Sequence, residues 1–202
     1  MIVIVDYGMS NTMSVKNSLR ALGAEVTISR EKSVIESASH IILPGVGAFA
    51  DGMRNLQEFG LIETLRRVVF DMKKPFLGIC LGMQMLATTG EENGSQKGLG
   101  FIPGVCRRLR VDETTFRVPH IGWNDVEVVQ KDPLFTGIEQ PIFYFDHGYH
   151  LSPQDTSIII GATDYGEKFA AAIKRDNIYG VQFHPEKSQH AGMTLLGNFL
   201  DI

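Results

Sequence analysis

The sequence predicts an α/β fold with a mostly parallel central sheet flanked by helices, a nucleophile elbow, and a smaller antiparallel extension in its second half. Three observations carry that prediction. The first half holds short runs that are apolar at nearly every position, the pattern of strands buried on both faces. Amphipathic stretches with helical spacing separate those runs, as a parallel sheet requires. After Gly104 the runs follow one another with few helices between them, as in an antiparallel arrangement.

The elements follow in order. Ile2 to Val5 reads as a fully buried strand. Val15, Leu19 and Leu22 recur at helical spacing, and Gly23 stands where a helix stops. Glu25 to Ser29 is a second strand, and Ile41-Ile42-Leu43 a third, ended by Pro44-Gly45. Leu61, Leu65, Val68, Val69 and Met72 form a helical stripe. Pro75 to Ile79 is the next buried strand, and Gly82 to Ala87 a helix. In the second half Gly104 to Arg108, Asp125 to Val129, Ile142 to Phe145, Ser157 to Thr163, Ala170 to Lys174 and Ile178 to Gln182 read as short strands, before a helix from Met193 to Leu200. With no internal repeat, low-complexity segment or linker, residues 1–202 are expected to form a single domain.

Composition narrows the function classes. Hydrophobic residues make up 44% and charged residues 21%, ordinary for a soluble protein. A net charge of -4, from 19 basic and 23 acidic side chains, argues against a nucleic-acid binder, whose affinity rests on a basic face. The 2 cysteines, Cys80 and Cys106, do not make a disulfide scaffold and fit a reducing compartment. The opening apolar run meets Asp6 at once and reads as a strand rather than a leader, so a cytoplasmic location is expected. No paired Cys or His spacing suggests a metal, and Gly98-x-Gly100 lacks the strand-to-helix frame of a phosphate loop, so neither metal nor cofactor is expected. Phe143-Tyr144-Phe145 reads as core or interface.

The sharpest local feature is Gly78-Ile79-Cys80-Leu81-Gly82 at a strand-to-helix junction. A residue on such a turn is held in a strained backbone with its side chain presented, and small neighbours are needed for the turn to close. The helix after Cys80 favours a thiolate, and the Leu81 N–H faces a developing oxyanion. A cysteine nucleophile needs an oriented histidine. Among 6 histidines, His184 follows a predicted strand in His184-Pro185-Glu186, where Glu186 can orient the imidazole. Leu43-Pro44-Gly45-Val46-Gly47, directly after a strand, is a loop able to offer N–H groups to a carbonyl oxygen. Taken singly, each has a plainer counterpart: a core cysteine, a solvated surface turn, a strand-ending turn.

In combination they do not. Pro44-Gly45-Val46-Gly47, Gly78-Ile79-Cys80-Leu81-Gly82-Met83-Gln84 and Gln182-Phe183-His184-Pro185-Glu186 occur in that order, and the chain resembles the class I (triad) glutamine amidotransferases. Asp6-Tyr7-Gly8 with Asn11, Gly98 to Gly104, Pro119 to Asn124 and Glu186 to Gln189 make it similar, end to end, to the glutaminase subunits of imidazole glycerol phosphate synthases. The resemblance implies a flavodoxin-like class I glutaminase fold, with Cys80, His184 and Glu186 as catalytic residues. It implies an oxyanion hole from Val46, Gly47 and Leu81, and substrate contacts at Gly45, Gly47, Gln84, Glu92 and Gly148. It further implies a (β/α)8-barrel cyclase partner that receives ammonia, met through Asn11, Pro119, His120, Trp123, Tyr144 and Lys187.

The chain departs from the family where Ser10 stands for the usual Gly, and where Asp146-His147-Gly148-Tyr149 stands for Val-His-Ser-Tyr or close to it. Three further readings therefore stay open: a paralogue supplying ammonia for amidine formation on a nucleotide-linked sugar, a stand-alone hydrolase of γ-glutamyl compounds, and a non-catalytic regulatory subunit.

Overall fold

The computed structural model describes residues 1–9 and 11–202; Ser10, where the sequence leaves the family pattern, lies outside the described residues. The first half forms β1 (Ile2–Val5), α1 (Thr12–Ala21), β2 (Val26–Ser29), α2 (Lys32–Ser37), β3 (His40–Gly45), α3 (Phe49–Glu58) and α4 (Ile62–Arg66), which runs on as a π-helical turn, Arg67–Asp71. Then come β4 (Phe76–Cys80) and the one-turn α5 (Leu81–Gln84). The second half forms β5 (Ala87–Gly90), β6 (Gln96–Lys97), β7 (Ile102–Arg108), β8 (His120–Asp125), β9 (Glu127–Val128), β10 (Ile142–His147), β11 (Tyr149–Pro153), β12 (Ile159–Asp164), β13 (Lys168–Arg175), β14 (Ile178–Val181) and α6 (Gln189–Leu200).

The main sheet has 8 strands in the order β2-β1-β3-β4-β14-β13-β12-β9. Strands β2, β1, β3, β4 and β14 run parallel, and β13, β12 and β9 complete the sheet antiparallel. Its two faces explain the all-apolar strands. In β1, Val3 and Val5 join one core with Ile35, Phe49, Leu56 and Leu65 of α2, α3 and α4. Ile2 and Ile4 join the opposite core with Val15, Leu19, Leu195 and Phe199 of α1 and α6. Each such side chain removed from water contributes about 1.5–3 kcal/mol, so a polar residue at either parity would be costly. A 4-stranded sheet, β11-β7-β5-β6, and a 2-stranded antiparallel sheet, β10-β8, lie outside this sheet.

Three expectations change. The predicted helix from Gly82 to Ala87 stops at Gln84, because Ala87 pairs with Ile102 and continues as strand β5. An apolar run this short has no periodicity that separates helix from strand. The predicted strand from Asp125 to Val129 is broken at buried Val126, whose N–H bonds the Pro141 carbonyl at 2.8 Å. Strand β8 on one side pairs with β10, and β9 on the other joins the main sheet. The start of Ser157 to Thr163 is a 3-10 turn capped by Asp155, with Ser157 N to Oδ1 at 2.9 Å. Helix α3, which the sequence reading leaves out, buries Phe49, Met53 and Leu56 on one face.

Strands β1, β3, β4 and β14 share one direction, so their carboxyl ends lie along one edge. Ligands of open α/β sheets bind at that edge.

Candidate active site

Cys80 ends β4 with φ 53° and ψ -110°, a left-handed conformation that costs a non-glycine residue about 1–3 kcal/mol. The strain is held in place by backbone packed on backbone. A Cβ on Gly82 would run into the Leu43 carbonyl of β3, and one on Gly78 would lie 2.8 Å from the Gly82 carbonyl carbon and oxygen. The expected elbow is therefore present. Its helix is a single turn, Leu81–Gln84, so no long helix dipole acts on the sulfur; what remains is the local N–H of Leu81, which has no intrahelical acceptor.

Residues distant in sequence converge on that sulfur. His184, directly beyond β14, stands beside the Cys80 side chain, and its Nδ1 hydrogen-bonds Glu186 Oε1 at 2.8 Å. Both His184 and Glu186 side chains are 2% exposed. Burial alone would lower the imidazole pKa, but the hydrogen bonds and charges of Cys80 and Glu186 outweigh it and push His184 up to about 10. Charge on the neighbouring sulfur and on Glu186 thus favours the protonated ring. Its backbone is fixed from both sides: His184 N–H donates to the Tyr144 carbonyl at 2.8 Å, and Ser188 Oγ donates to the His184 carbonyl at 2.6 Å while accepting Tyr144 N–H at 3.0 Å. Cys106, the other thiol, is fully buried, and burial raises its pKa far above the usual thiol range, leaving it inert.

A cavity of about 410 Å³ opens at Cys80, lined by Val46, Gly47, Leu81, Gln84, Glu92, Pro119 and the Asp146–Tyr149 segment, among others. Glu92 sits at the start of α3, its Oε2 accepting Phe49 N–H at 2.7 Å. Gly45 lies beside Cys80 in the β3–β4 register, wedged between the Tyr7 hydroxyl and Leu81 Cβ. Two expected site residues are used differently. The Val46 N–H, expected to face an oxyanion, donates to the Met9 carbonyl at 3.0 Å, so that donor is turned away in this conformation. Gln84 lines the cavity, yet its amide donates to the Tyr149 carbonyl at 2.8 Å and to Gln182 Oε1 at 3.3 Å, so its N–H groups serve the protein. Gly148, where the family carries a side chain, has room for one: a Cβ would be 3.4 Å from Val118 Cγ1.

His120, expected at a partner interface, is buried instead, its ring stacked between Phe145 and Tyr165. It belongs to a hydrogen-bonded line that sequence reasoning missed. His147 Nδ1 faces the Tyr149 carbonyl at 2.8 Å and must donate to it. Its Nε2 therefore accepts from His120 Nδ1 at 3.2 Å, and His120 Nε2 accepts from Asn124 Nδ2 at 3.4 Å. Burial lowers the pKa of His120 to about 4, of His147 to about 3 and of His150 to about 4. Depressed folded values mean that the unfolded chain takes up protons first as pH falls. These residues therefore leave stability whole above about pH 6.5 and erode it progressively toward pH 4. Urea midpoints measured between pH 7 and 5 should fall steeply, and His147→Gln should flatten that slope by about one proton; an unaltered slope would contradict the assignment.

The outer face of the β8–β10 pair is different. In β10, Phe143, Phe145 and His147 point inward, while Ile142 and Asp146 are exposed and Tyr144 half-buried. Trp123, 48% exposed, lies opposite Tyr144 with its ring edge-on at 6.1 Å, and Lys187 Nζ stands 5.3 Å from the Tyr144 ring. Ile121, 59% exposed, pairs with Asp146. Trp123, Tyr144 and Lys187 thus form one patch, with Pro119 exposed at the cavity mouth and Asn11 exposed at the start of α1. The Asp146 side chain lies on this outer face and only its carbonyl, 3.8 Å from Cys80 Sγ, reaches the site. Among the described residues no cluster of His, Cys, Asp and Glu is arranged to hold a metal, and no helix is long and apolar enough to cross a membrane.

Residues 3–202 match the glutamine amidotransferase class-I family, and the chain belongs to it. Among its relatives, the imidazole glycerol phosphate synthase subunit HisH of Moorella thermoacetica is 46% identical over 100% of this chain and 94% of its own length. The imidazole glycerol phosphate synthase subunit HisH 2 of Pseudomonas aeruginosa is 46% identical over 100% of both chains. Similar solved structures include one described as a glutamine amidotransferase, with TM-score 0.77 and 20% identity over 100% of this chain and 98% of the other. Another is PurLQS from Thermotoga maritima, with TM-score 0.76 and 18% identity over 99% and 97%. At those identities the structures speak for the fold alone.

Proposed function

We propose that this protein hydrolyses glutamine to glutamate and ammonia and passes the ammonia to a (β/α)8-barrel cyclase that forms imidazole glycerol phosphate in histidine biosynthesis. The observation that carries this is the buried line Cys80–His184–Glu186 at the mouth of a cavity large enough for an amino acid. The Cys80 sulfur attacks the side-chain carboxamide carbon, forming C–S while the carbonyl electron pair moves to oxygen, toward Leu81 N–H. Collapse breaks C–N, and the departing amine takes the His184 proton. Neutral His184 then draws a proton from water, the hydroxide adds to the thioester, and C–S breaks to restore the sulfur. Glu186 holds the ring in the Nδ1–H tautomer and offsets its charge. Glu92, the Gly45–Gly47 backbone and Gly148 hold the substrate, with its ammonium toward Glu92.

Rotation of the Val46 peptide away from Met9 completes the hole from Val46, Gly47 and Leu81. Glycine at Gly47, with φ 101°, lowers the cost of that rotation. The Trp123–Tyr144–Lys187 patch is where the cyclase docks, and the His184–Tyr144 backbone bond, with the second link through Ser188 Oγ, connects that patch to the residue bearing the imidazole. Glutamine hydrolysis should therefore rise about 10- to 100-fold when a barrel cyclase carrying its ribonucleotide ligand is added. Absence of stimulation would remove the histidine assignment. It would favour the second reading, ammonia for amidine formation on a nucleotide-linked sugar, which the exposed Asp146 on the docking face supports by altering the partner surface while leaving the cavity intact.

A further inference from the structure

Gln182 has no part in the steps above, yet it is fully buried and its side chain ends on the reacting sulfur. Its Nε2 lies 3.7 Å from Cys80 Sγ. A neighbour sets which end of the amide faces the sulfur. Gln84 Nε2 bonds the Tyr149 carbonyl, which can only accept, and the same nitrogen meets Gln182 Oε1 at 3.3 Å. With its oxygen so engaged, Gln182 turns its NH₂ toward the thiol. The backbone holds it there, with Gln182 N–H on the Ala171 carbonyl at 2.8 Å. At the end of β14, alternation puts Gln182 and His184 on one side and Phe183, packed in the core, on the other.

We propose that Gln182 is a further catalytic residue: an N–H donor that stabilises negative charge on the Cys80 sulfur, oriented by Gln84. The inference deepens the glutaminase reading and rests on it. Its chemical sense lies in constancy. The imidazole of His184 gives its proton to the departing amine and takes one back from water, so its charge beside the sulfur changes through the cycle. An amide does not surrender its proton under these conditions. Gln182 therefore donates both to the attacking sulfur and to the sulfur that regains its electron pair as C–S breaks in thioester hydrolysis.

The test is alkylation of Cys80 by iodoacetamide across pH, read by mass spectrometry, for the natural protein and for Gln182→Met, which keeps the length and lacks the donor. The acidic limb of the rate profile should move up by about one pH unit, and glutamine turnover should fall about tenfold with KM within about twofold. Gln84→Met, which removes the orienting bond together with the bond to the Tyr149 carbonyl but leaves the Gln182 donor in place, should shift the limb the same way by about a third as much. If thermal unfolding shows that Gln182→Met does not fold, Gln182→Glu carries the test. It preserves the shape, places an oxygen against the sulfur, and should move the limb further. A folded Gln182 variant whose profile superimposes on the natural one overturns the proposal. A shifted limb while Cys80→Ala still hydrolyses glutamine overturns the nucleophile assignment and, with it, the catalytic role of Gln182.

Discussion

Cys80→Ala should lower glutamine hydrolysis by about four orders of magnitude or more while leaving the fold in place. Removing the nucleophile closes the thioester route altogether, and the remaining groups can only polarise the amide toward a water that has no positioned base. Stability should change by less than about 1 kcal/mol, because alanine at this φ bears the same left-handed strain as cysteine and loses one small side chain. Ammonia-dependent synthesis by the proposed cyclase partner should survive, since the proposed docking patch on β8 and β10 does not include the thiol. Turnover with glutamine, turnover with ammonium and the thermal midpoint, measured on the same preparation, separate these effects. Residual glutaminase within tenfold of the natural protein would mean that sulfur is not the attacking atom.

Gly82→Ala should destabilise the protein by about 3 kcal/mol or more and abolish activity with it. The added methyl would overlap the Leu43 carbonyl, which is backbone in the middle of the parallel sheet and has no rotamer by which to yield. Strand β3 and the elbow would have to separate, displacing Cys80 and the Gly45–Gly47 loop together. Gly94→Ala is the control. That glycine has positive φ, 100°, which Gly82 lacks, and no atom within 4 Å of a built Cβ, so only the conformational penalty of about 1 kcal/mol applies. Chemical denaturation of both variants reads the difference. A loss at Gly82 no larger than that at Gly94 would show that contact with the Leu43 carbonyl is not what requires glycine beside the nucleophile.

Much of the fold was legible beforehand, for a local reason. Ile2–Val5 and Phe76–Cys80 are buried from both sides, so every position had to be apolar, and the run alone declared a parallel strand. The elbow was legible because its glycine spacing answers a steric need within five residues, Gly78 to Gly82. The run from Leu81 to Ala87 was not, since it is uniformly buried and shows no period by which helix and strand differ. The break at Val126 was hidden too, because the residues on either side pair with two different sheets and no glycine or proline marks the change. At the site, His184 and Glu186 could be read from their motif. Gln182 stood in that same motif, two residues before His184 and so on its side of the strand, a signal that alternation could have supplied.

The chain's own order of residues determined which groups could react: one thiol on a tight turn, one histidine with a carboxylate two positions on, and strands whose carboxyl ends face one edge. Only the tertiary structure decided what each group bonds to. Gln182 meets Cys80 across 102 positions and Gln84 across 98, the Val46 N–H is captured by Met9, and His120 is closed between two rings. Sequence periodicity reports which face of an element is apolar. Hydrogen bonds between elements depend on ångström-scale placement, and that is settled when the two layers pack against the sheet.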